Sequence, residues 1–267
     1  GAKYVALLLG VDTGGTYTDA VLIQDEQSVV ASAKALTTRQ DLAVGICEAI
    51  RIVLEQSGTS PREVSMAALS TTLATNALVE GQGGRVALIY IGFKESDLEL
   101  SELSNALKGD PALTLTGGHD HAGIETAALD VEALKGFLKD EAMGVTGYAV
   151  AGLFATRNPS HELTVAKIIK ARTGAPVTCS HQLSSKLNGP KRALTAVLNA
   201  RLIGMIDKLI GRAQDSLENL GISAPMMVVR GDGALMSASQ ARERPIETIL
   251  SGPAASIVGA RWLTGVE

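Results

Sequence analysis

The segment Gly10-Val11-Asp12-Thr13-Gly14-Gly15-Thr16-Tyr17-Thr18-Asp19 joins two apolar runs, Tyr4–Val11 and Thr18–Gln24, with no room for a helix between them. It therefore reads as the turn of a β-hairpin. That excludes a dinucleotide fingerprint and a Walker-type loop, since both must open a helix. Paired glycines let backbone N–H groups converge on an anion without a Cβ in the way. The hydroxyls of Thr13 and Thr16 can add donors. Asp12, at the end of a buried strand, is placed to hold a magnesium ion through its water shell. The plain alternative is a Gly-Gly hairpin closed by an Asx-type side-chain bond.

Outward from the hairpin, Ser28–Leu36 reads as a third strand. Leu42, Ile46, Ile50, Val53 and Leu54 then recur at helical spacing, with Gly58 as the stop. Val64–Leu69 reads as a strand, Thr71–Val79 as a short helix and Val86–Ile91 as a strand. Residues 94–125 look irregular and end in a loop, Thr116-Gly117-Gly118-His119-Asp120-His121-Ala122-Gly123. A second α/β unit follows: helix Val131–Asp140, strand Gly147–Phe154, helix Pro159–Thr173 and strand Pro176–Ser180. Pro190–Leu220 predicts a helix about 45 Å long, with Pro190 in its first turn and Gly221 as its stop. A strand at Pro225–Arg230, a Gly-Asp-Gly turn and a helix from about Gly252 to Leu263 close the chain. The pattern predicts a mixed α/β protein in three segments, 1–92, 93–189 and 190–267.

Composition narrows the function classes. Of the 267 residues, 46% are apolar and 19% charged, as in ordinary globular proteins, and the net charge is −4. With no basic run, neither a nucleic-acid groove nor an anionic membrane surface is expected as the main partner. The two cysteines, Cys47 and Cys179, lie outside any metal-type spacing and suggest a reducing compartment. The opening apolar stretch is too short to span a bilayer and lacks the pattern of a secretion signal, so a cytoplasmic protein is expected.

Further candidates divide between chemistry and architecture. Thr72, Thr75 and Asn76 share one helix face, a polar stripe that could meet substrate or phosphate, or could cap the helix. Asn158-Pro159 suits a helix start and Glu162 the positive end of that helix, with His161 free to point into a cleft. His119-Asp120-His121 offers too few fixed ligands for a structural zinc. Asp232, between two glycines, is either a tight turn or a second carboxylate for metal or water. Ser251-Gly252-Pro253 reads as a helix N-terminus.

The hairpin resembles the first phosphate loop of the actin, sugar-kinase and heat-shock chaperone superfamily. Its detailed form, Asp12-Thr13-Gly14-Gly15-Thr16-Tyr17-Thr18-Asp19, is similar to the hydantoinase/oxoprolinase branch. Ser70-Thr71-Thr72-Leu73-Ala74-Thr75-Asn76-Ala77-Leu78, Asn158-Pro159-Ser160-His161-Glu162, Ser180-His181 and Leu194–Ala200 match that family in order. So do Arg230-Gly231-Asp232-Gly233-Ala234-Leu235-Met236 and Ser251-Gly252-Pro253-Ala254-Ala255. The resemblance implies an actin-like ATPase lobe of ribonuclease H-like type, with mixed sheets, flanking helices and a second α/β subdomain. It also implies a second lobe, opened by its own glycine-rich loop, beyond Glu267. Residues 93–117 are short and poor in basic and aromatic side chains by comparison with the family.

What the resemblance implies chemically is an enzyme that uses ATP and Mg²⁺ to phosphorylate the carbonyl oxygen of an amide or cyclic imide before hydrolysis. Asp12 would hold the metal and Asp232 would supply the second carboxylate. Thr13, Gly14, Gly15, Thr16 and Thr18 would cradle phosphate, while Thr72, Thr75, Asn76 and His161 would meet substrate. A carboxylase-activating subunit, a lobe that only binds a partner subunit, and an aspartic-protease-like dimer built on Asp12-Thr13-Gly14 are the rivals. One lobe alone would bind ATP weakly.

Overall fold

The computed structural model describes residues 5–79, 81–183 and 188–248. They form two compact units: residues up to 81 together with those from 205 onward, and residues 82–204.

In the first unit, β1 (Leu7–Thr13) pairs antiparallel with β2 (Tyr17–Gln24), which pairs antiparallel with β3 (Ser28–Leu36). The hairpin expected from the glycine pair thus joins two adjacent strands. Helix α1 (Leu42–Ser57) starts at Asp41, whose carboxylate accepts the N–H of Ala43. It stops at Gly58, whose φ of 65° only a residue without Cβ adopts cheaply. The stripe Leu42, Ile46, Ile50, Val53 and Leu54 is buried, and α1 packs on β2 and β3. β4 (Val64–Ser70) runs parallel to β1, and α2 (Thr72–Val79) follows directly.

The second unit is built on β5 (Val86–Ile91), a run buried at every position, as parallel strands covered on both faces require. After it come α3 (Glu95–Leu98), α4 (Ser101–Leu107), β6 (Ala112–Leu115), α5 (Val131–Asp140), β7 (Gly147–Gly152) and α6 (Ser160–Thr173). β8 (Val177–Cys179) and α7 (Ser180–Leu183) precede α8 (Gly189–Asn219). The sheet is parallel in the order β6-β5-β7-β8. Val86, Leu88 and Tyr90 face a core with Leu103 and Ala196, whereas Ala87, Ile89 and Ile91 face one with Phe137 and Val165. Arg201 of α8 is buried with its terminal nitrogens paired: they donate to Asp110 at 2.8 Å and to the carbonyls of Ala106 and Leu107 at 2.6 and 3.0 Å.

Residues of α8 from Met205 on belong to the first unit, where Arg212 grips the Asp41 carboxylate at 2.9 Å. β9 (Met226–Val229) then pairs parallel with β4, and β10 (Leu235–Ser237) pairs antiparallel with β9, followed by α9 (Ala238–Glu243). The first unit's sheet has the order β10-β9-β4-β1-β2-β3.

Several features differ from the sequence reading. Residues 94–115 hold two short helices and a strand, and Leu103 and Leu107 are buried there. Elements of four to seven residues are too short to display a period. The segments 1–92, 93–189 and 190–267 do not coincide with the compact units. β5 bonds to β6 and β7 rather than to the first sheet, and α8 gives one half to each unit. The expected helix 252–263 and Ser251-Gly252-Pro253 lie outside the described residues.

Gly45 is the tightest point beneath α1, since a Cβ there would sit 2.6 Å from the carbonyl oxygen of Leu36. Overpacking of that kind costs about 1–3 kcal/mol, only partly offset by the gain of about 1 kcal/mol in helix propensity. Gly45→Ala is therefore expected to lower the thermal midpoint by several degrees while leaving the far-ultraviolet dichroism unchanged. A variant as stable as the parent would contradict the packing described for α1 on β3.

Candidate functional site

The tip of the hairpin is braced from one side only. Gly14 donates its N–H to Tyr17 across the turn at 2.9 Å. The carbonyls of Gly14, Gly15 and Thr16 are taken by Thr37 Oγ1 at 2.8 Å, Arg39 Nε at 3.4 Å and the Thr37 N–H at 2.9 Å. Thr18, buried, completes the brace through its hydroxyl contact with Thr37 at 2.9 Å. With the carbonyls occupied, the N–H groups of Gly15 and Thr16 have no acceptor among the described residues. Two adjacent free amides at a glycine turn form an anion-binding concavity.

Beside the tip, a cleft of about 310 Å³ is lined by Gly10, Asp12, Asp19, Val21, Ser32 and Lys34. Asp12 is the penultimate residue of β1, with its Oδ1 buried and without a hydrogen-bond partner. Burial raises its carboxyl above the ordinary range, the hydroxyls of Thr72 and Ser70 pull it back, and the charge of Asp19 raises it further. Ser70 and Thr72 also bond to each other at 2.9 Å. A buried carboxylate oxygen with no partner is the type of group a hard divalent cation satisfies, so Asp12 fits a magnesium ligand. Thr13 points to the opposite face of the strand from Asp12, and its buried hydroxyl is also unpartnered, so it does not line the cleft.

Other sequence candidates are distributed differently. Thr72 lies beside Asp12, as its hydroxyl contacts require, and Asn76 is exposed one turn along α2. The side chain of Thr75 lies outside the described residues. Asp232 is occupied in its own turn: it accepts from Arg230 Nε at 2.9 Å and from the Ala234 N–H at 3.0 Å, and pairs with Arg230 Nη2. The guanidinium and that N–H hold its carboxyl down at about 2.

His161 belongs to the second unit. Its Nδ1 accepts the Gly118 N–H at 2.9 Å, which places the ring proton on Nε2, 3.6 Å from Glu125. Burial, then the neighbouring His119 ring at 4.4 Å, lowers its pKa. His119 is buried near Ser160, whereas His121 is exposed. The intervening Asp120 braces its own loop by accepting from Ala122 and Ile124 at 2.9 Å. The three side chains of His119-Asp120-His121 therefore point to different tasks.

Sequence reasoning underrated Glu162. Read as a charge at a helix start, it is instead fully buried and accepts four bonds. These come from the Gly152 N–H at 2.8 Å, Ser180 Oγ at 2.6 Å, the His181 N–H at 3.0 Å and His181 Nδ1 at 2.7 Å. Arg192, also buried, donates to Ser180 and to the Gly152 carbonyl at 3.3 and 2.5 Å. Glu162, Cys179 and His181 stand within metal-binding reach of one another. Burial nevertheless pushes the Cys179 thiol up to about 12, keeping it protonated, and Glu162 is already saturated, so the cluster closes without an ion. The signal in the sequence was the apolar strand run leading into Ser180-His181, with Glu162 in the first turn of the helix before it.

A mixed sheet opened by a glycine hairpin between its first two strands, with helices on its flanks and a parallel α/β unit inserted, defines a lobe of the actin-like ATPase class. Within that class the chain belongs to the hydantoinase/oxoprolinase family: the hydantoinase/oxoprolinase N-terminal region matches residues 8–173, and the hydantoinase/oxoprolinase model matches residues 192–266. The chain is 29% identical to caprolactamase subunit alpha of Pseudomonas jessenii, over 93% of its own length and 38% of the relative's. It is 27% identical to the acetophenone carboxylase gamma subunit of Aromatoleum aromaticum, over 95% of its own length and 38% of the relative's. Among solved structures, the ATP-dependent caprolactamase from Pseudomonas jessenii superposes with a TM-score of 0.73 at 26% identity, over 92% of this chain and 39% of that one. Nucleotide-free acetone carboxylase gives 0.77 at 21% identity, over 98% and 41%, a likeness of fold. The chain thus spans about two fifths of the length of these relatives. Among the described residues no helix is long and apolar enough to cross a membrane.

Two outcomes follow from the geometry. Because the folded-state pKa of Asp12 lies above its unfolded value, burying the charge costs stability at neutral pH, and that cost disappears as pH falls through the folded pKa. In chelator, Asp12→Asn should melt above the parent at pH 7, by about 2–4 °C for each kcal/mol relieved. The two should converge below about pH 4; equal midpoints at pH 7 would contradict the burial of this carboxyl and its open Oδ1. By contrast, Glu162→Ala strands several buried donors at about 1–3 kcal/mol each. It should lower the midpoint by many degrees, and a neutral result would dismiss Glu162 as the anchor of that network.

Proposed function

We propose that this chain is the nucleotide-binding N-terminal region of an ATP-dependent enzyme that activates an amide or cyclic imide by phosphorylating its carbonyl oxygen before hydrolysis. The observation that carries this reading is the pair of unclaimed amides at Gly15 and Thr16 beside the unpartnered Oδ1 of Asp12. Donors for an anion and a ligand for its counter-cation converge at one turn, an arrangement suited to a metal-bound nucleotide phosphate.

The proposed roles follow from the contacts. Gly15 and Thr16 offer their N–H groups to the phosphates, while Gly14 shapes the turn, where a Cβ would press the Tyr17 carbonyl at 3.1 Å. Thr18 holds the tip in shape through Thr37, and Thr13 contributes its backbone. Asp12 holds the cation, steered by Ser70 and Thr72. A bound magnesium ion supplies positive charge against that developing on the transferred phosphoryl group. Thr72, Thr75 and Asn76 would present the polar face of α2 to substrate. Asp232 and His161 stay outside the proposed chemistry because Asp232 is engaged within its own turn and His161, in the second unit, is bonded to Gly118.

Phosphorylation turns the carbonyl oxygen into part of a leaving phosphate. Water then adds at carbon, the C–N bond breaks with the proton passing to nitrogen, and the original oxygen departs with inorganic phosphate. The relative named caprolactamase supports this reading, and a second lobe or partner subunit would complete the nucleotide site. The likeness to acetophenone and acetone carboxylases favours a sister reading, in which the activated carbonyl belongs to a ketone or to bicarbonate.

Both can be tested in the full-length protein with its partner subunit. A lactam or cyclic imide carrying ¹⁸O at its carbonyl should deliver the label into the released phosphate. Unlabelled phosphate accompanied by ring opening would contradict carbonyl phosphorylation. ATP hydrolysis stimulated only by a ketone with bicarbonate would move the assignment to the carboxylase reading.

A further inference from the structure

Asp19 faces Asp12 directly across the β1–β2 ladder, and both line the same cleft. Like charges placed opposite each other on an antiparallel pair destabilise the sheet. Asp19 repays that penalty with nothing visible in the fold: among the described residues its carboxylate accepts no hydrogen bond. Its ion pair with Lys34, at 3.5 Å, joins side chains that are 47% and 60% exposed, a contact worth between nothing and about 1 kcal/mol. The same Lys34 ammonium also lies over the Tyr17 ring, 5.0 Å from its centroid, so Asp19 is not its sole partner.

We propose that Asp19 is the second carboxylate of the divalent-cation site centred on Asp12, facing the cation that accompanies the nucleotide phosphates. The inference rests on the nucleotide reading of the hairpin and extends it to a residue that reading leaves unused. Asp12, Asp19 and Lys34 leave the cleft with a surplus of negative charge, beside amides suited to an anion. A cation between the carboxylates and the phosphates reconciles the two. The cleft of about 310 Å³ admits a hydrated ion, since a water occupies about 30 Å³ and magnesium keeps several of its waters. Asp232, the other acidic candidate, has its oxygens held by Arg230 and the Ala234 N–H, whereas Asp19 is bound by neither backbone nor a buried partner.

The test uses Mn²⁺ as the probe, titrated into the full-length protein with and without ADP and followed by the resonance signal of free Mn²⁺. Asp19→Asn should weaken Mn²⁺ binding by about tenfold or more, equivalent to about 1.4 kcal/mol. Its melting temperature without metal should stay level or rise, because the like-charge contact is relieved. Lys34→Met should tighten Mn²⁺ binding by removing a competing cation, and Glu132→Gln, on the exposed surface of α5, should leave it unchanged. If Asp19→Asn binds Mn²⁺ as the parent does while Asp12→Asn does not, the role of Asp19 is overturned and the nucleotide reading stands. If Lys34→Met weakens Mn²⁺ binding as much as Asp19→Asn, Asp19 acts only as an ion-pair partner and the proposal fails. If the unaltered protein binds no Mn²⁺ even with ADP, both readings fall together.

Discussion

Asp12 lies one residue from the end of a strand that is hydrogen-bonded on both sides, antiparallel to β2 and parallel to β4. The backbone around it therefore has no freedom to carry its carboxyl back into water. The pairing with β2 fixes Asp19 opposite, and the pairing with β4 delivers Ser70, and through the start of α2 Thr72, to its side. Each neighbour of the carboxyl is thus placed by sheet register. A one-residue slip of β1 would turn Asp12 to the α1 face and replace it with an apolar side chain. The burial that makes the Asp12 charge costly is the same burial that would strengthen its grip on a cation.

The hairpin tip solves a different problem. A glycine turn is permissive, and permissiveness alone would leave its amides pointing in many directions. Thr37 and Arg39, from the end of β3 and the segment beyond it, claim three successive carbonyls and so orient the peptide planes. The second unit presents the contrasting case. There Glu162 gathers donors from β7 and from the junction of β8 with α7, and every one of its bonds closes inside the protein. One unit leaves polar groups open at a strand end, and the other spends them on holding strand ends together.

Much of this was legible in the sequence where a period or a turn had room to declare itself. The apolar stripe of α1 with its Gly58 stop, the strand Val86–Ile91 and the strand–turn–strand nature of residues 10–19 all followed from spacing. The short elements α3, α4, β6, β10 and α9 did not, because three to seven residues carry less than a readable period. Side-chain direction was the other blind spot. Thr13 and Thr16 look equivalent in the motif, but strand alternation turns Thr13 away from the cleft. Asp19 closes the same motif and attracted no role until register put it opposite Asp12. Glu162 fits a helix start by composition, and only the tertiary fold reveals the donors around it.

The central claim is that the hairpin amides and the Asp12 carboxyl act together on a metal–nucleotide complex. Crystals of the full-length protein grown with Mn²⁺ and a non-hydrolysable ATP analogue test it most directly, because manganese is located by its anomalous scattering. The account predicts a manganese peak at Asp12, held directly or through one water, with phosphate oxygens about 2.7–3.2 Å from the Gly15 and Thr16 amides. A triphosphate bound elsewhere, with Asp12 Oδ1 still unpartnered, would contradict it.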